Sequence, residues 1–232
     1  IKSRKKLLTG FKGNSKINMQ KFDEAQRPNH FAISLIGEPT LYAKLPKMIK
    51  EIRSLKATSF IVSNGLNPQM LKKMEKQNAL PTQLYISLNC SNKEDYDKWH
   101  RSLQKDAWKV FNKSLEVMKG LRKKTRTILR MTLVKGANSN MSDKDTDGYV
   151  EMIKKADPLF VEAKSYMSVG YARDRKDMGY DAMPNWKEIQ EFAKKLVKAL
   201  GSDYMLLGEH EYSRIVLIGK KKDKKNMKIQ KV

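Results

Sequence analysis

Six short apolar runs, most of them rich in β-branched residues, recur along the chain. They are HFAISLI (30–36), TSFIVS (58–63), QLYISL (83–88), RTILRMTLV (126–134), LFVEAK (159–164) and SRIVLIG (213–219). Continuous runs of this length mark strands buried on both faces of a parallel sheet. Helical periodicity fills several of the gaps. KLPKMIKEIRSL (44–55) puts Leu45, Met48, Ile49 and Ile52 on one face. NPQMLKKMEKQ (67–77) opens with an asparagine cap and a proline in the first turn. The longest helical patterns cover 106–123 and 185–200, the second stopping at Gly201. Trp99, Trp108, Trp186 and Phe192 fall at helical spacing and are read as core. Strand and helix in alternation give an α/β fold with crossover connections. GANSNMSDKDTDG (136–148) reads as a polar loop. KKKDKKNMKIQKV (220–232) reads as a solvated lysine-rich extension, with an RNA-backbone contact as its second reading.

A hydrophobic share of 40% over 232 residues supports a real core and argues against wholesale disorder. No run of 18 apolar residues occurs, so no transmembrane helix or membrane association is expected. The basic N-terminal stretch IKSRKKLLTGFKGN has too short an apolar segment for a signal peptide. The single cysteine, Cys90, allows no internal disulfide, which suits a cytoplasmic protein. Alone it holds neither an iron–sulfur cluster nor a structural zinc. His30, His100 and His210 lack metal-ligand spacing, so no metal ligand is assigned. Lys and Arg number 48 against 25 Asp and Glu, a net charge of +23. That excess favours a polyanionic partner, nucleic acid first. A basic surface spread evenly over a lysine-rich chain is the plainer reading. Nothing suggests a coiled-coil interface, and a monomer is expected.

In parallel β/α architectures ligands sit at the C-terminal ends of strands, so the residues just beyond each run are the candidates for a site. The first run leads to Gly37-Glu38-Pro39 and the second to Asn64-Gly65 after Ser63. The third leads to Asn89, Cys90, Ser91 and Asn92; the fourth contains Arg130 and leads to Lys135-Gly136. The fifth ends at Lys164 and opens into SYMSVGYARDR (165–175). One carboxylate among amides and hydroxyls suits an ammonium group or a ribose. Asn64-Gly65 is equally an ordinary turn, and Cys90 a small buried residue. Lys164 is either a surface lysine at a strand end or, among apolar neighbours, a substrate contact or Schiff-base former.

HFAISLIGEPTLY, LPTQLYISLN, RTILRMTLVKG and VEAKSYMSVGYARDR, in that order, resemble the radical S-adenosylmethionine enzymes of wybutosine biosynthesis, the archaeal-type 4-demethylwyosine synthases. The resemblance runs from about residue 7 to 219. It implies a partial (β/α)6-type TIM barrel whose first strand and cluster loop lie upstream of Ile1. Residues 1–219 would be this N-terminally incomplete core domain and 220–232 a basic tail. It also implies that Gly37 and Glu38 receive the methionine ammonium of S-adenosylmethionine, with Pro39 fixing the turn. Ser63 and Asn64 would lie nearby, and Ser87 and Asn89 at the ribose-contacting strand end, where the family often has Asp in place of Asn89. Arg130 would meet the cosubstrate carboxylate or an RNA phosphate, and Arg173 and Arg175 would grip the RNA.

The implied reaction uses a 4Fe–4S cluster and an electron donor to cleave S-adenosylmethionine to a 5′-deoxyadenosyl radical. With two carbons from pyruvate it turns N1-methylguanosine beside the anticodon of tRNA-Phe into 4-demethylwyosine. The CxxxCxxC motif for the cluster is absent from the 232 residues, so these residues alone are expected to be inactive. Two other readings stand beside this one: a radical S-adenosylmethionine enzyme acting on a small molecule, and a non-catalytic RNA-binding β/α protein.

Overall fold

The computed structural model describes residues 1–34, 36–175 and 177–229. Leu35 of the first apolar run and the last three residues of the basic tail lie outside them. The helices are α1 (Lys2–Thr9), α2 (Met19–Gln26), α3 (Leu45–Ser54), α4 (Pro68–Lys76), α5 (Lys93–His100), α6 (Ala107–Leu121), α7 (Asp143–Ala156) and α8 (Trp186–Leu200). The strands are β1 (His30–Ile33), β2 (Thr58–Ser63), β3 (Gln83–Ser87), β4 (Arg126–Leu133), β5 (Phe160–Ser165), β6 (Tyr204–His210) and β7 (Ile215–Lys220). They form one sheet in the order β1-β2-β3-β4-β5-β7-β6. β1 to β5 are parallel neighbours in chain order.

Strand alternation divides the sheet into two faces. Leu84, Ile86, Leu129, Met131, Val161 and Ala163 are fully buried under helices that include α4, α6, α7 and α8. The helix stripes follow the sequence: Leu45, Ile49 and Ile52 of α3 are buried together. Asn67 caps α4 by accepting from the Met70 N–H at 3.1 Å, and Pro68 occupies the first turn. Among the described residues no α-helix covers the other face of the sheet, though Met227 of the tail packs on it. That face carries Tyr85, Ile128, Phe160 and Leu217 towards one end. By the same alternation Ser87, Arg130, Thr132, Glu162 and Lys164 lie on that face towards the other.

The sixth run is a strand but not a parallel one. β7 pairs antiparallel with β5, and β6 pairs antiparallel with β7. β6 therefore has the direction of a next parallel unit, and the hairpin through Glu211–Arg214 folds β7 back into the slot beside β5. β6 was not expected from the sequence. Its ladder is broken by an irregularity between Leu206 and Gly208, so its side chains do not keep one period. β1 also departs from the expectation of burial on both faces. It is an edge strand of four residues, alternately exposed and half-buried.

The expected loop 136–148 becomes helical at Asp143. Ser142 and Asp145 form a reciprocal capping box that starts α7. Gly148, which suggested a loop, lies inside that helix because a Cβ there would collide with the Ser91 carbonyl. The described part of the tail is not a free extension either. Asp223 is buried and paired with Arg122, and Arg126 donates to the carbonyls of Asn226 and Met227. This segment packs under the N-terminal ends of the strands. Among the described residues no helix is long and apolar enough to cross a membrane.

Candidate functional site

Glu38 sits where β1 has ended, and its carboxylate is caged by four donors. Oε1 accepts from the Thr40 N–H (3.0 Å), the Thr40 hydroxyl (2.6 Å) and the Ser63 hydroxyl (2.8 Å). Oε2 accepts from the Asn64 N–H at 2.7 Å. The Ser63 hydroxyl in turn accepts from the Gly65 N–H at 3.0 Å. Gly37 adopts φ 78°, with no atom of the described residues within 4 Å of where a Cβ would lie, and Pro39 opens a short 3-10 turn. The carboxylate thus ties the end of β1 to the end of β2. The structure brings Gly37, Glu38, Pro39, Ser63 and Asn64 into one cluster. Oε2 retains acceptor capacity beyond its single bond.

The next strands carry a second cluster on the helix-free face. Ser87 is in register with Arg130, and Arg130 with Glu162. Arg130 donates from Nε to Glu162 Oε1 at 2.7 Å, and its guanidinium lies 4.4 Å over the Tyr85 ring. Glu162 is only 6% exposed, so the guanidinium is its compensating charge. Burial pushes the Tyr85 phenol up, and the Glu162 charge adds to the effect. Arg130 is thus already engaged through Nε and Nη2, and Nη1 makes none of its bonds to Glu162. One step nearer the strand ends, Asn89 Oδ1 accepts from the Thr132 N–H at 3.2 Å, and Lys164 is in register with Thr132. Lys164 is half-buried and makes no salt bridge among those described.

A cavity of about 260 Å³ opens beside Asn89 at this end of the sheet. Trp99, His100 and Tyr166 supply rings to its wall, and Asn89, Asn140 and Arg175 supply polar groups. Asn140 is locked by donating to the Asn89 and Thr132 carbonyls, both at 2.9 Å. His100 stacks on Tyr96 at 4.2 Å, and burial pulls its pKa down. Arg175, expected on RNA, lines this cavity, whereas Arg173 is fully on the surface. A larger hollow of about 560 Å³ lies at the opposite end of the strands, among Arg53, Arg122, Arg126 and Asp223. None of the expected site residues reaches it.

Sequence reasoning missed Glu162, Tyr85 and Asn140. Glu162 could have been found, because a carboxylate inside the apolar run LFVEAK demands a buried partner. Asn140 gave no signal, since its role depends on a loop folding back over two strands. The residues suit an ammonium-bearing nucleoside cosubstrate: a half-buried carboxylate with spare acceptor capacity lies at the ends of β1 and β2, and an amide-lined, ring-lined cavity lies at the same end of the sheet beyond β3 and β4. They do not suit a 4Fe–4S cluster. Cys90 is buried, and burial with nearby Asp95 and Asp145 pushes its thiol up to about 12. Among the described residues no group of three His, Cys, Asp or Glu side chains could hold a metal ion.

A protein-family model described as wyosine base formation matches residues 155–220, which hold β5, α8, β6 and β7. An S-adenosyl-L-methionine-dependent tRNA 4-demethylwyosine synthase of Methanocaldococcus jannaschii is 36% identical over 97% of this chain and 67% of its own length. The chain belongs to the tRNA 4-demethylwyosine synthase family. A member from Pyrococcus abyssi is 44% identical over 94% of the chain. The chain spans about 61% of that relative's length. A solved family structure, titled as TYW1 with a lysine-pyruvate adduct bound, superposes with a TM-score of 0.78 at 33% identity, covering 94% of this chain and 66% of that one. Coproporphyrinogen III oxidase from Escherichia coli, titled a radical SAM enzyme, shares the fold alone, with a TM-score of 0.51 at 12% identity. The expected fold, a partial β/α barrel, is the one present, with β7 inserted antiparallel beside β5.

Proposed function

We propose that the parent protein is a tRNA-modifying enzyme that builds 4-demethylwyosine from N1-methylguanosine beside the anticodon of tRNA-Phe. Pyruvate would be the carbon donor, S-adenosylmethionine the cosubstrate, and an external electron donor a further partner. S-adenosylmethionine, when reductively cleaved, supplies a carbon radical able to abstract hydrogen from an unactivated position. The residues described would bind and orient. Glu38 would accept from the cosubstrate ammonium through Oε2, beside the open backbone at Gly37. Thr40, Ser63 and Asn64 hold that carboxylate in place, and Pro39 sets the turn that brings Thr40 to it. Ser87 and Asn89 would meet the ribose, and the Asn89 cavity would take a planar ring. Arg130 would meet an anionic group through its remaining N–H donors, oriented by Glu162 and Tyr85. Lys164 would contact pyruvate from the helix-free face. Arg173 and Arg175 would meet RNA phosphate. A 4Fe–4S cluster in the parent protein would take its ligands from outside these residues. A tRNA substrate puts the protein in the cytoplasm, and we take it to act as a monomer.

The observation that carries this reading is the 36% identity with the Methanocaldococcus jannaschii synthase along almost the whole chain. The net charge of +23 supports an RNA substrate. The test is incubation of the full-length protein, with cluster reconstituted, with S-adenosylmethionine, pyruvate, reductant and tRNA-Phe carrying N1-methylguanosine. Digestion and mass spectrometry should give the tricyclic nucleoside. Cosubstrate cleavage without a change in the tRNA would refute the substrate assignment. Tight tRNA binding with no affinity for S-adenosylmethionine would make the protein a non-catalytic RNA binder.

A further inference from the structure

Four tyrosines stand out in water: Tyr42 is 51% exposed, Tyr171 94%, Tyr180 76% and Tyr212 95%. All four lie at one pole of the molecule. Tyr42 follows the turn after β1. Tyr171 and Tyr180 belong to two short turns in the segment between β5 and α8. Tyr212 sits in the β6–β7 hairpin turn, next to Arg214. That turn is pinned to the same pole, because the Arg214 carbonyl accepts from the Ser165 N–H at 3.0 Å. The Arg214 guanidinium also donates to the Pro184 carbonyl at 3.0 Å. The other five tyrosines are buried or half-buried. Among the described residues Phe11, in the turn after α1, is the one further exposed large aromatic.

An exposed ring leaves apolar surface in water, which costs solvation free energy that burial would recover. Here the exposed tyrosine rings gather at the end of the molecule where the parallel strands finish, the end at which the cavity beside Asn89 opens, though none of them lines that cavity. They are interleaved with cations. Lys44 and Arg173 are exposed there, and among the described residues neither makes a salt bridge. Rings that offer flat faces between free cations match the two surfaces of an unpaired nucleic-acid strand, base faces and phosphates. Duplex RNA offers phosphates but keeps its base faces stacked inside.

We propose that Tyr171, Tyr180 and Tyr212 form a stacking platform for unpaired bases of an RNA loop. This rests on the RNA-modifying reading above and deepens it. The platform holds splayed loop bases while the one to be modified enters the mouth, and it makes recognition depend on single-strandedness rather than on charge alone.

The experiment is fluorescence anisotropy with the full-length protein and two labelled RNAs, a hairpin with an unpaired loop and a blunt duplex of equal phosphate number. Tyr171→Ala, Tyr180→Ala and Tyr212→Ala are compared with the corresponding Tyr→Phe variants, and thermal unfolding checks that each remains folded. Loss of one stacked base corresponds to roughly 5- to 150-fold in affinity. Alanine variants should lose at least about fivefold for the loop RNA and less than about twofold for the duplex. Phenylalanine variants should stay within about twofold for both. A 2-aminopurine in the loop should be quenched by the unaltered protein and released from quenching in the alanine variants. Loop binding unchanged in all three alanine variants would overturn the platform and point to a protein partner for these rings. Equal losses for loop and duplex would also overturn it. Absence of RNA binding by the unaltered protein would overturn the RNA-modifying reading, and the platform with it.

Discussion

Replacing Glu38 by glutamine changes one atom of a carboxylate that four donors surround. The amide carbonyl can keep the place of Oε1 and still accept from Thr40 and Ser63. The amide nitrogen then faces the Asn64 N–H, a donor against a donor. The opposite flip is worse, because it sets the nitrogen among three donors. One charge-assisted bond, worth roughly 1.5–3 kcal/mol, is therefore lost. The remaining three weaken as the charge disappears. We expect a loss of about 2–4 kcal/mol in unfolding free energy, a fall in Tm of roughly 4–16 °C for a domain of this size. Circular dichroism melts measure that, and hydrogen exchange should show the Asn64 amide opening faster. Calorimetric titration of the full-length variant with S-adenosylmethionine separates the second role. Affinity should fall at least about tenfold at a temperature where the variant is fully folded. An unchanged Tm would refute the cage as a source of stability. A lowered Tm with unchanged cosubstrate affinity would refute the ammonium contact and leave Glu38 as a clasp between two strand ends.

Arg130→Met leaves Glu162 charged and buried, so it should cost about 3–5 kcal/mol. Adding Glu162→Gln should recover part of that, and additive losses in a double-mutant denaturation cycle would contradict the pairing. Gly65→Ala should destabilise by about 2–4 kcal/mol, since φ is 75° and a Cβ would sit 2.9 Å from Phe111 Cδ2. Gly37→Ala meets open space and should cost only about 1–2 kcal/mol; equal shifts in Tm would count against this contrast. Burial holds the His100 pKa below its ordinary value of 6.5. The unfolded chain then binds the extra proton, so this contribution is present above that value and is lost as pH falls through the lower folded one. His100→Phe keeps a ring on Tyr96 and should flatten the acid limb of the Tm–pH curve; an unaltered limb would remove His100 as its source.

The parts that could be read beforehand are those where local rules and tertiary packing agree. α4 begins at Asn67-Pro68 because cap and proline act within one turn. β2 to β5 are legible because each keeps a row of apolar residues buried on its helix-covered face while a strand lies on both of its edges, so short β-branched runs mark them even where the other face carries polar groups. The cluster of Gly37, Glu38 and Ser63 could be foreseen as belonging to one rim, since strand ends of a parallel sheet converge. α7 was hidden because Gly148 and a run of aspartates mimic a loop. Only the carbonyl of Ser91 packed against that helix explains the glycine.

From the residues alone came the strand–helix repeat, the residues that the strand ends bring to one rim and a charge suited to a polyanion. Those depend on side-chain type and on short-range geometry, which the sequence states directly. The tertiary structure alone decided that β7 turns back beside β5, that Arg130 spends its charge on Glu162, and that the exposed tyrosines crowd one pole. Each of these joins residues distant along the chain, and their meeting is set by which buried charges and surfaces must be matched when the sheet assembles.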